Sequence, residues 1–288
     1  MNSQTTSATE RTEADTVAYT VTERIAWVKF NRPEKRNCMN PKLNRQMLRV
    51  LDELEFRDDV GVLVLSGEGD AWSAGMDLKE YFRETEARGP AAVRGAQREA
   101  YGWWRRLRWY QKPTIAMVNG WCFGGGYGPL FACDLAFAAD EAQFGLSEIN
   151  WGILPGGGAT KIARELLPFR RAMYHAMMGE NIKGATAAEW GLVNESMPLA
   201  KLKTRVEDVA RVLLTKNPVA LKATKDAMRR VGEMTYENAE DYLVRAQEAA
   251  NSHDNEGRKE GIRQFIDDKT FKPGLGAYDL SKQSAKKK

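Results

Sequence analysis

Two glycine-containing turns carry the residues whose types and spacing could do chemistry. They are Ser73-Ala74-Gly75-Met76-Asp77-Leu78 and Trp121-Cys122-Phe123-Gly124-Gly125-Gly126-Tyr127-Gly128-Pro129. Each follows an apolar, strand-like run and precedes a helix-compatible segment. Glycine lets a backbone come close to a ligand, and two N–H groups that converge on one carbonyl oxygen form an oxyanion hole. A single turn of this kind is more often structural, so the interpretation depends on both turns together.

Glu148 is the carboxyl group whose neighbours favour proton transfer. It stands between Ser147 and the largely apolar segment Ile149-Asn150-Trp151, with no adjacent lysine or arginine. Desolvation disfavours the charged form of a carboxyl group, which suits a residue that must both accept and donate a proton. A solvated loop glutamate is the structural alternative, and the residues alone do not decide between the two.

Several other catalytic patterns are absent from the sequence. It contains neither H-E-x-x-H nor G-x-x-x-x-G-K-[ST], and its only two histidines, His175 and His253, argue against a histidine-based triad. Pro129 stands where a dinucleotide-binding fingerprint needs its third glycine.

The composition is that of a globular protein with a sizeable core. The 288 residues are 43% hydrophobic and 28% charged, and a net charge of +4 gives no reason to expect a nucleic-acid partner. The sequence has no run of about 18 apolar residues, so we expect no membrane span. Three cysteines without C-x-x-C or zinc spacing predict a reducing compartment, no metal site and a cytoplasmic protein: Cys38, Cys122 and Cys133.

Alternating strands and helices should position the two turns. Val17 to Phe30 predicts a hairpin interrupted at Glu23-Arg24, and Asn40-Pro41 predicts the capped start of a helix. Apolar residues at helical spacing follow that cap: Leu43, Met47, Leu51 and Leu54. Buried strands are predicted at Val60 to Ser66, Thr114 to Val118 and Leu135 to Ala139.

The C-terminal third of the sequence is helical in pattern. Pro218 and Thr235 are predicted boundaries between helices, the first by breaking and the second by capping. The predicted helices are Thr186 to Gly191, Leu199 to Lys216, Val219 to Val231, Tyr236 to Ser252 and Glu256 to Asp267. We therefore predict a polar leader over residues 1–16, a mixed α/β core over 17–200, a helical region over 201–278 and a basic flexible tail over 279–288.

Three segments resemble the crotonase (enoyl-CoA hydratase/isomerase) superfamily and, within it, the hydroxycinnamoyl-CoA (feruloyl-CoA) hydratase-lyases. They are Met76-Asp77-Leu78-Lys79-Glu80-Tyr81-Phe82, Asn119-Gly120-Trp121-Cys122-Phe123-Gly124-Gly125 and Gly145-Leu146-Ser147-Glu148-Ile149-Asn150-Trp151-Gly152. The resemblance extends from about Val17 to Tyr278. It implies an α/β fold with a core spiral of ββα turns and a helical C-terminal region used in trimer assembly, giving a homotrimer or a dimer of trimers.

The same resemblance implies an activity. The substrate would be a 4-hydroxycinnamoyl-CoA thioester such as feruloyl-CoA, coumaroyl-CoA or caffeoyl-CoA. Hydration followed by retro-aldol cleavage would give a hydroxybenzaldehyde of the vanillin type and acetyl-CoA. Coenzyme A would enter as part of the substrate, with no other cofactor.

The resemblance also assigns roles to residues. The N–H groups of Met76 and Gly125 would polarise the thioester carbonyl, and Glu148 would be the catalytic acid/base. Tyr81 matches the tyrosine that contacts the phenolic oxygen, although an aromatic residue at this spacing on a helix is usually there for packing. Two further residues match the lining of the aryl pocket: Trp151 and Gly156. The full predicted substrate-binding set is Tyr81, Gly128, Trp151, Gly156 and Tyr242.

Two positions depart from the family pattern. Simple enoyl-CoA hydratases carry a second glutamate at the position of Gly128, and the hydratase-lyases commonly carry a serine there. A second phenol-contacting tyrosine aligns with Val244, and Tyr242 could replace it only if the helix is rotated or shifted. A para-phenolate on the substrate could make the second glutamate unnecessary by pushing electrons through the ring.

These departures leave two other interpretations open. The chain could be a hydratase or isomerase acting on another enoyl-CoA without C–C cleavage. It could also be a non-catalytic protein that binds acyl-CoA or RNA.

CoA binding is predicted for a loop and for two C-terminal residues. Arg32-Pro33-Glu34-Lys35-Arg36-Asn37 puts three cations on a short loop, which suits phosphate contacts, although a solvated charged loop is the alternative. By resemblance Lys35 is the best match, adenine lies along Ala74 to Leu78, and Phe265 and Lys269 reach CoA from a neighbouring subunit. The full predicted set is Arg32, Lys35, Ala74, Gly75, Asp77, Leu78, Lys79, Gly126, Phe265 and Lys269.

A cluster of tryptophan and arginine residues near position 105 has two interpretations. In the first, the tryptophan rings stack on nucleic-acid bases and the arginines contact phosphates. In the second, which is favoured, the cluster belongs to an amphipathic core helix whose arginines extend to solvent. The sequence contains no recognised nucleic-acid module, so we expect no nucleic-acid partner. The cluster comprises Trp103, Trp104, Arg105, Arg106, Arg108 and Trp109.

Overall fold

The computed structural model of the chain describes residues 15–271 and 276–284. Residues 1–14 of the predicted leader and 285–288 of the predicted tail lie outside the described residues. The chain divides into two compact units, the first ending at Glu207 and the second beginning at Asp208, with Gln111–Pro113 assigned to the second.

The described strands all lie in the first unit and form two sheets. They are β1 (Val17–Thr22), β2 (Ile25–Phe30), β3 (Val62–Gly67), β4 (Ala71–Ser73), β5 (Thr114–Val118), β6 (Trp121–Phe123), β7 (Leu135–Ala139), β8 (Gln143–Gly145), β9 (Ile182–Lys183) and β10 (Glu195–Met197). The larger sheet has the order β1-β2-β3-β5-β7-β10 and the smaller one β4-β6-β8-β9. Only the β1–β2 and β8–β9 pairs are antiparallel.

The predicted strands are confirmed with small changes in their ends. The hairpin of β1 and β2 turns at Glu23 and Arg24, whose φ angles of 49° and 63° are those of a type I′ two-residue turn. β3 is buried along its whole length between two parallel neighbours, which explains its continuous apolar sequence. The chain reaches the first glycine turn directly after β3 of the larger sheet and β4 of the smaller sheet.

Eight helices begin in the first unit. They are α1 (Pro41–Glu55), α2 (Glu84–Ala87), α3 (Pro90–Arg108), α4 (Tyr127–Ala132), α5 (Ala159–Leu166), α6 (Phe169–Met178), α7 (Gly184–Trp190) and α8 (Leu199–Leu214). The Asn40 side chain caps α1 by accepting from the Leu43 N–H at 2.8 Å, as predicted. The predicted apolar stripe of α1 is buried.

Helices continue through the second unit, whose described part contains no strand. They are α9 (Pro218–Val231), α10 (Tyr236–His253), α11 (Asn255–Ile266) and α12 (Ser281–Ser284). Pro218 is the first residue of α9, and the preceding Asn217 caps this helix through the Ala220 N–H at 2.9 Å. Thr235 caps α10, as predicted.

The tryptophan and arginine cluster belongs to an amphipathic core helix, α3. Trp103 is fully buried and donates to Asn44 Oδ1 at 2.9 Å, while Arg106 pairs with Asp52 at 2.8 Å and with Glu55. Buried indoles are not accessible for base stacking, so this feature gives no support to nucleic-acid binding.

Two further properties concern the described residues alone. No helix there is long and apolar enough to cross a membrane. No three of their His, Cys, Asp or Glu side chains cluster as metal ligands would. All three cysteines are free thiols.

Candidate functional site

One cavity of about 530 Å³ in the first unit gathers most of the predicted site residues. Its volume is in the range of small-molecule sites. Eleven of the predicted residues line it: Lys35, Ala74, Gly75, Met76, Asp77, Leu78, Tyr81, Gly125, Glu148, Trp151 and Gly156.

The first glycine turn orients the N–H of Met76 by pairing its neighbours with Met39. The Met39 N–H donates to the Gly75 carbonyl at 2.7 Å, and the Asp77 N–H donates to the Met39 carbonyl at 2.9 Å. In such a parallel bridge the flanking residues form the bonds, so the N–H of Met76 points to the opposite side. Gly75 has φ of +91°, a backbone conformation that favours glycine. Among the described residues, the Met76 N–H has no backbone acceptor.

The second glycine turn places the N–H of Gly125 beside that of Met76. Gly124–Gly126 is a 3-10 turn at the start of α4, where the first N–H groups have no acceptor within the helix. A methyl carbon built on Gly125 would lie 3.3 Å from Met76 N, and one built on Gly75 would lie 3.2 Å from Gly125 N. The two turns therefore approach each other closely, as two donors that serve one oxygen must.

Glu148 lies directly against the second turn. It belongs to the 3-10 turn Ser147–Trp151, and a carbon built on Gly124 would lie 2.6 Å from its Oε1. Its Oε2 is buried and has no hydrogen-bond partner among the described residues. Burial raises the pKa of Glu148 above the ordinary 4.5, and a hydrogen bond from its own backbone N–H opposes this only in part. The carboxyl group thus has the partial desolvation that the sequence predicted.

Asp77 is the other carboxyl group among the described cavity-lining residues, and hydrogen bonds and an ion pair fix its position. It accepts from the N–H groups of Lys79 and Glu80 at 3.0 and 2.9 Å. It also accepts from Arg32 Nη1 at 3.0 Å and from Cys38 Sγ at 3.3 Å. Burial alone would raise the pKa of Asp77, but these hydrogen bonds and the Arg32 charge lower it below 3.8. Asp77 is therefore a fixed anion, so Glu148 is the candidate for proton transfer among the described cavity-lining carboxyl groups.

Arg32 requires a correction. We predicted a phosphate contact, but its side chain is only 8% exposed and pairs with Asp77 and, at 2.7 Å, with Glu80. The guanidinium neutralises these carboxylates in the interior and is not presented to a ligand. The cations at the cavity are the exposed Lys35 and Arg36, and Arg36 lies 4.6 Å above the ring of Trp121.

Tyr81 both packs and lines the cavity. It lies on the π-helical segment Leu78–Arg83 and stacks edge to face with Phe82 at 5.0 Å. Burial, with a smaller effect of Tyr101, raises the pKa of Tyr81 to about 12, so its hydroxyl is a hydrogen-bond donor at neutral pH.

Three other predicted residues are not among the described residues that line the cavity. Gly128 is buried in α4 against the indole of Trp104, and Gly126 allows the turn to approach the carbonyl of Ser73. Lys79 is exposed on the π-helical segment. Trp104 and Ser73 take the space beside Gly128 and Gly126, so the structure gives these two glycines a packing role. The CoA contact of Lys79 remains a prediction.

The remaining predicted residues lie in the second unit. Tyr242 is on α10 and Phe265 on α11, where the Phe265 ring lies 5.4 Å from that of Phe271. Lys269 follows α11 with φ of 52°. Their proposed contacts with aryl group and CoA remain predictions.

Sequence reasoning missed several residues of the cavity. Tyr101 and Trp104 come from α3, and their helical spacing predicted only a core-facing stripe. Trp121 and Phe123 lie inside a quoted motif, but nothing in the sequence shows that their rings reach the cavity. The missed lining residues include Tyr101, Trp104, Trp121, Phe123 and Leu154.

The chain is similar to known proteins in family, sequence and structure. The family described as enoyl-CoA hydratase/isomerase matches residues 20–273. The chain is 54% identical over 265 residues to a hydroxycinnamoyl-CoA hydratase-lyase of Pseudomonas fluorescens, covering 91% of this chain and 96% of that protein. It is 30% identical to a 2,3-dehydroadipyl-CoA hydratase of Escherichia coli, covering 86% and 94%.

A solved structure agrees with these matches. The crystal structure of an enoyl-CoA hydratase from Bacillus anthracis superimposes with a TM-score of 0.80 at 26% identity, covering 87% of this chain and 96% of that one. The predicted crotonase fold is confirmed.

Proposed function

Since the chain belongs to the enoyl-CoA hydratase/isomerase family, we propose that it hydrates a 4-hydroxycinnamoyl-CoA thioester and then cleaves the product. Feruloyl-CoA, coumaroyl-CoA and caffeoyl-CoA are the candidate substrates. The products are a hydroxybenzaldehyde, vanillin in the case of feruloyl-CoA, and acetyl-CoA. Identity of 54% with a hydratase-lyase over nearly the whole chain supports this activity over hydration alone.

One observation carries the proposal: two N–H donors and one desolvated carboxyl group meet in a cavity with aromatic walls. The turns that carry the N–H groups of Met76 and Gly125 approach each other closely, and Glu148 lies against the second of them. Donors fixed in this way stabilise the negative charge that a thioester oxygen gains, and each is typically worth about 10²–10³ in rate.

Hydration starts from the ionised phenol of the substrate. Electrons move from the phenolate through the ring, and neutral Glu148 gives its proton to the α-carbon, which forms a quinone-methide intermediate. Water then adds to the β-carbon and gives a proton back to Glu148, so the ring becomes a phenolate again. The raised pKa of Glu148 favours the neutral form that begins this sequence.

Cleavage uses the same groups once Glu148 has released its proton to solvent. The carboxylate takes the proton of the β-hydroxyl group, the bond between the α- and β-carbons breaks, and the aldehyde forms. The electron pair of that bond becomes the enolate of acetyl-CoA, whose oxygen lies at the Met76 and Gly125 N–H groups. Glu148 then protonates the enolate carbon.

Tyr81 and the loop cations complete the proposed site. The Tyr81 hydroxyl donates to the phenolate oxygen, and Lys35 and Arg36 contact the phosphates of CoA. No metal or redox cofactor takes part in these steps, because CoA arrives with the substrate and the ring itself accepts and returns the electrons.

The test is incubation of the purified protein with feruloyl-CoA. We expect vanillin and acetyl-CoA in equal amounts, measured by chromatography. Accumulation of the β-hydroxyacyl-CoA without aldehyde would contradict cleavage and would indicate a hydratase.

We also propose that the protein is a cytoplasmic homotrimer or dimer of trimers. Free thiols at all three cysteines are compatible with a reducing compartment. Exposed apolar side chains on α6 support assembly of identical chains.

A further inference from the structure

Trp104 lies between two glycines in the wall of the cavity. Its side chain is 7% exposed and lines the cavity. A carbon built on Gly128 would lie 2.7 Å from Cδ2 and Cε3 of the indole, and one built on Gly157 would lie 3.2 Å from Cη2 and Cζ3. The six-membered ring of the indole therefore takes the space in which a side chain at either position would stand.

The backbone of Gly128 does not itself require glycine. Gly128 is in α4 and its φ is not positive, whereas Gly157 has φ of +63°. A side chain at position 128 would meet the indole first, because the three atoms nearest to its built carbon all belong to Trp104.

Packing determines the orientation of this indole. Its Nε1–H is buried and has no hydrogen-bond partner among the described residues. The neighbouring ring of Tyr101 lies 5.3 Å away at 48°. Because packing and not a hydrogen bond orients this ring, a larger residue at position 128 would displace it. The orientation of the Trp104 indole and the residue type at position 128 are therefore coupled.

We propose that Trp104 determines the acyl specificity of the cavity, an inference that rests on the proposed function. The indole fills the volume of a side chain at position 128 and forms the apolar surface against which a flat aryl group packs. It also fills the place that an acid or base at position 128 would occupy, so Glu148 acts without a second acid or base at that position.

A double-mutant cycle tests the coupling. Binding is measured by calorimetry in the Glu148→Gln chain, which prevents turnover, with 4-hydroxycinnamoyl-CoA and with crotonyl-CoA. The cycle consists of Gly128→Ala, Trp104→Leu and both together. Gly102→Ala is the matched control, since it is a helical glycine of α3 with open space around its built carbon.

Each variant has a definite expected result. Gly128→Ala should raise the Kd for 4-hydroxycinnamoyl-CoA about tenfold when Trp104 is present and less than about threefold in the Trp104→Leu background, since residues in contact are not additive. Crotonyl-CoA should show less than about a threefold change in all variants, and Gly102→Ala should change neither Kd. If a variant does not fold, Trp104→Phe replaces Trp104→Leu, because it keeps an aromatic ring in the core.

Two outcomes overturn the inference: an equal effect of Gly128→Ala in both backgrounds, or equal losses for the aryl and crotonyl thioesters. Failure of the proposed function is a separate result. It would show as no binding of 4-hydroxycinnamoyl-CoA by the Glu148→Gln chain and no aldehyde from the unaltered protein.

Discussion

At the scale of single residues, proton transfer in the proposed mechanism depends on Glu148, because Asp77, the other carboxyl group among the described cavity-lining residues, is a fixed anion. We expect Glu148→Gln to keep the fold and CoA binding while lowering kcat by about 10²–10⁴, the usual effect of losing a general acid/base. Aldehyde formation from feruloyl-CoA measures the loss. Glu84→Gln, at an exposed position of α2, is the control and should be fully active. Aldehyde formation by Glu148→Gln near the unaltered rate would remove this residue from the mechanism.

Tyr81 supports a second prediction, which uses the substrate as the probe. Tyr81→Phe should reduce kcat/KM for feruloyl-CoA about 10- to 100-fold, because a hydrogen bond to a charged group is worth about 1.5–3 kcal/mol. Cinnamoyl-CoA, which has no phenol, should be a very poor substrate for both proteins. Tyr236→Phe, at a residue that is 81% exposed, is the matched control. Equal kcat/KM values for cinnamoyl-CoA and feruloyl-CoA in the unaltered protein would refute the quinone-methide route.

At the scale of elements, α6 connects the two halves of the site. His175 Nε2 and the hydroxyl of Tyr127, the residue that follows the second glycine turn, are joined by a buried hydrogen bond of 2.6 Å. The carbonyl of Gly179, which ends α6, accepts from Asn150 Nδ2 at 3.0 Å in the turn that carries Glu148. One helix therefore contacts both the second glycine turn and the turn that carries Glu148.

The buried imidazole of α6 predicts a pH dependence of stability. Burial lowers the pKa of His175 from 6.5 to about 4, so the unfolded chain binds a proton between these values that the folded chain does not. The stabilising contribution is complete above pH 6.5 and is lost as the pH falls toward 4, by up to about 3 kcal/mol. We expect His175→Gln to lose less stability than the unaltered protein between pH 7 and pH 4.5 in urea unfolding. Parallel losses in the two proteins would show that His175 does not contribute.

Local sequence patterns predicted the long strands and helices but not the short strands. β3, β5 and β7 are continuous apolar runs, which indicates buried parallel strands. β4, β6 and β8 have three residues each, too few for any periodicity, although they carry the chain into the glycine turns.

Contacts distant in sequence explain the errors in the site. Arg32 follows a strand, and its neighbours in sequence would look the same whether it binds a phosphate or a carboxylate. Its partner Asp77 is 45 residues away, so local sequence does not reveal the pair. Gly128 resembled a ligand position because the sequence does not show that Trp104 packs on it. Glu148, Met76 and Gly125 were identified because their motifs resemble a known family.

At the scale of the whole molecule, the exposed apolar stripe of α6 predicts assembly. Phe169, Met173 and Met177 recur every four residues and are 57%, 42% and 63% exposed. We expect light scattering to give three or six times the chain mass of 32.4 kDa. Met177→Glu should shift the protein toward smaller species, whereas Met228→Glu on α9 provides a comparison at another exposed methionine. A monomer at micromolar concentration would contradict the proposal.

The bridge between Met39 and Met76 has a consequence for amide hydrogen exchange. The N–H of Asp77 donates to the Met39 carbonyl, whereas the adjacent N–H of Met76 has no backbone acceptor in the described chain. Consecutive amides should thus exchange at very different rates in the free protein, fast at Met76 and slow at Asp77. A bound acyl-CoA should slow exchange at Met76 and leave Asp77 unchanged, so two neighbouring protons report occupancy of the oxyanion hole without any turnover.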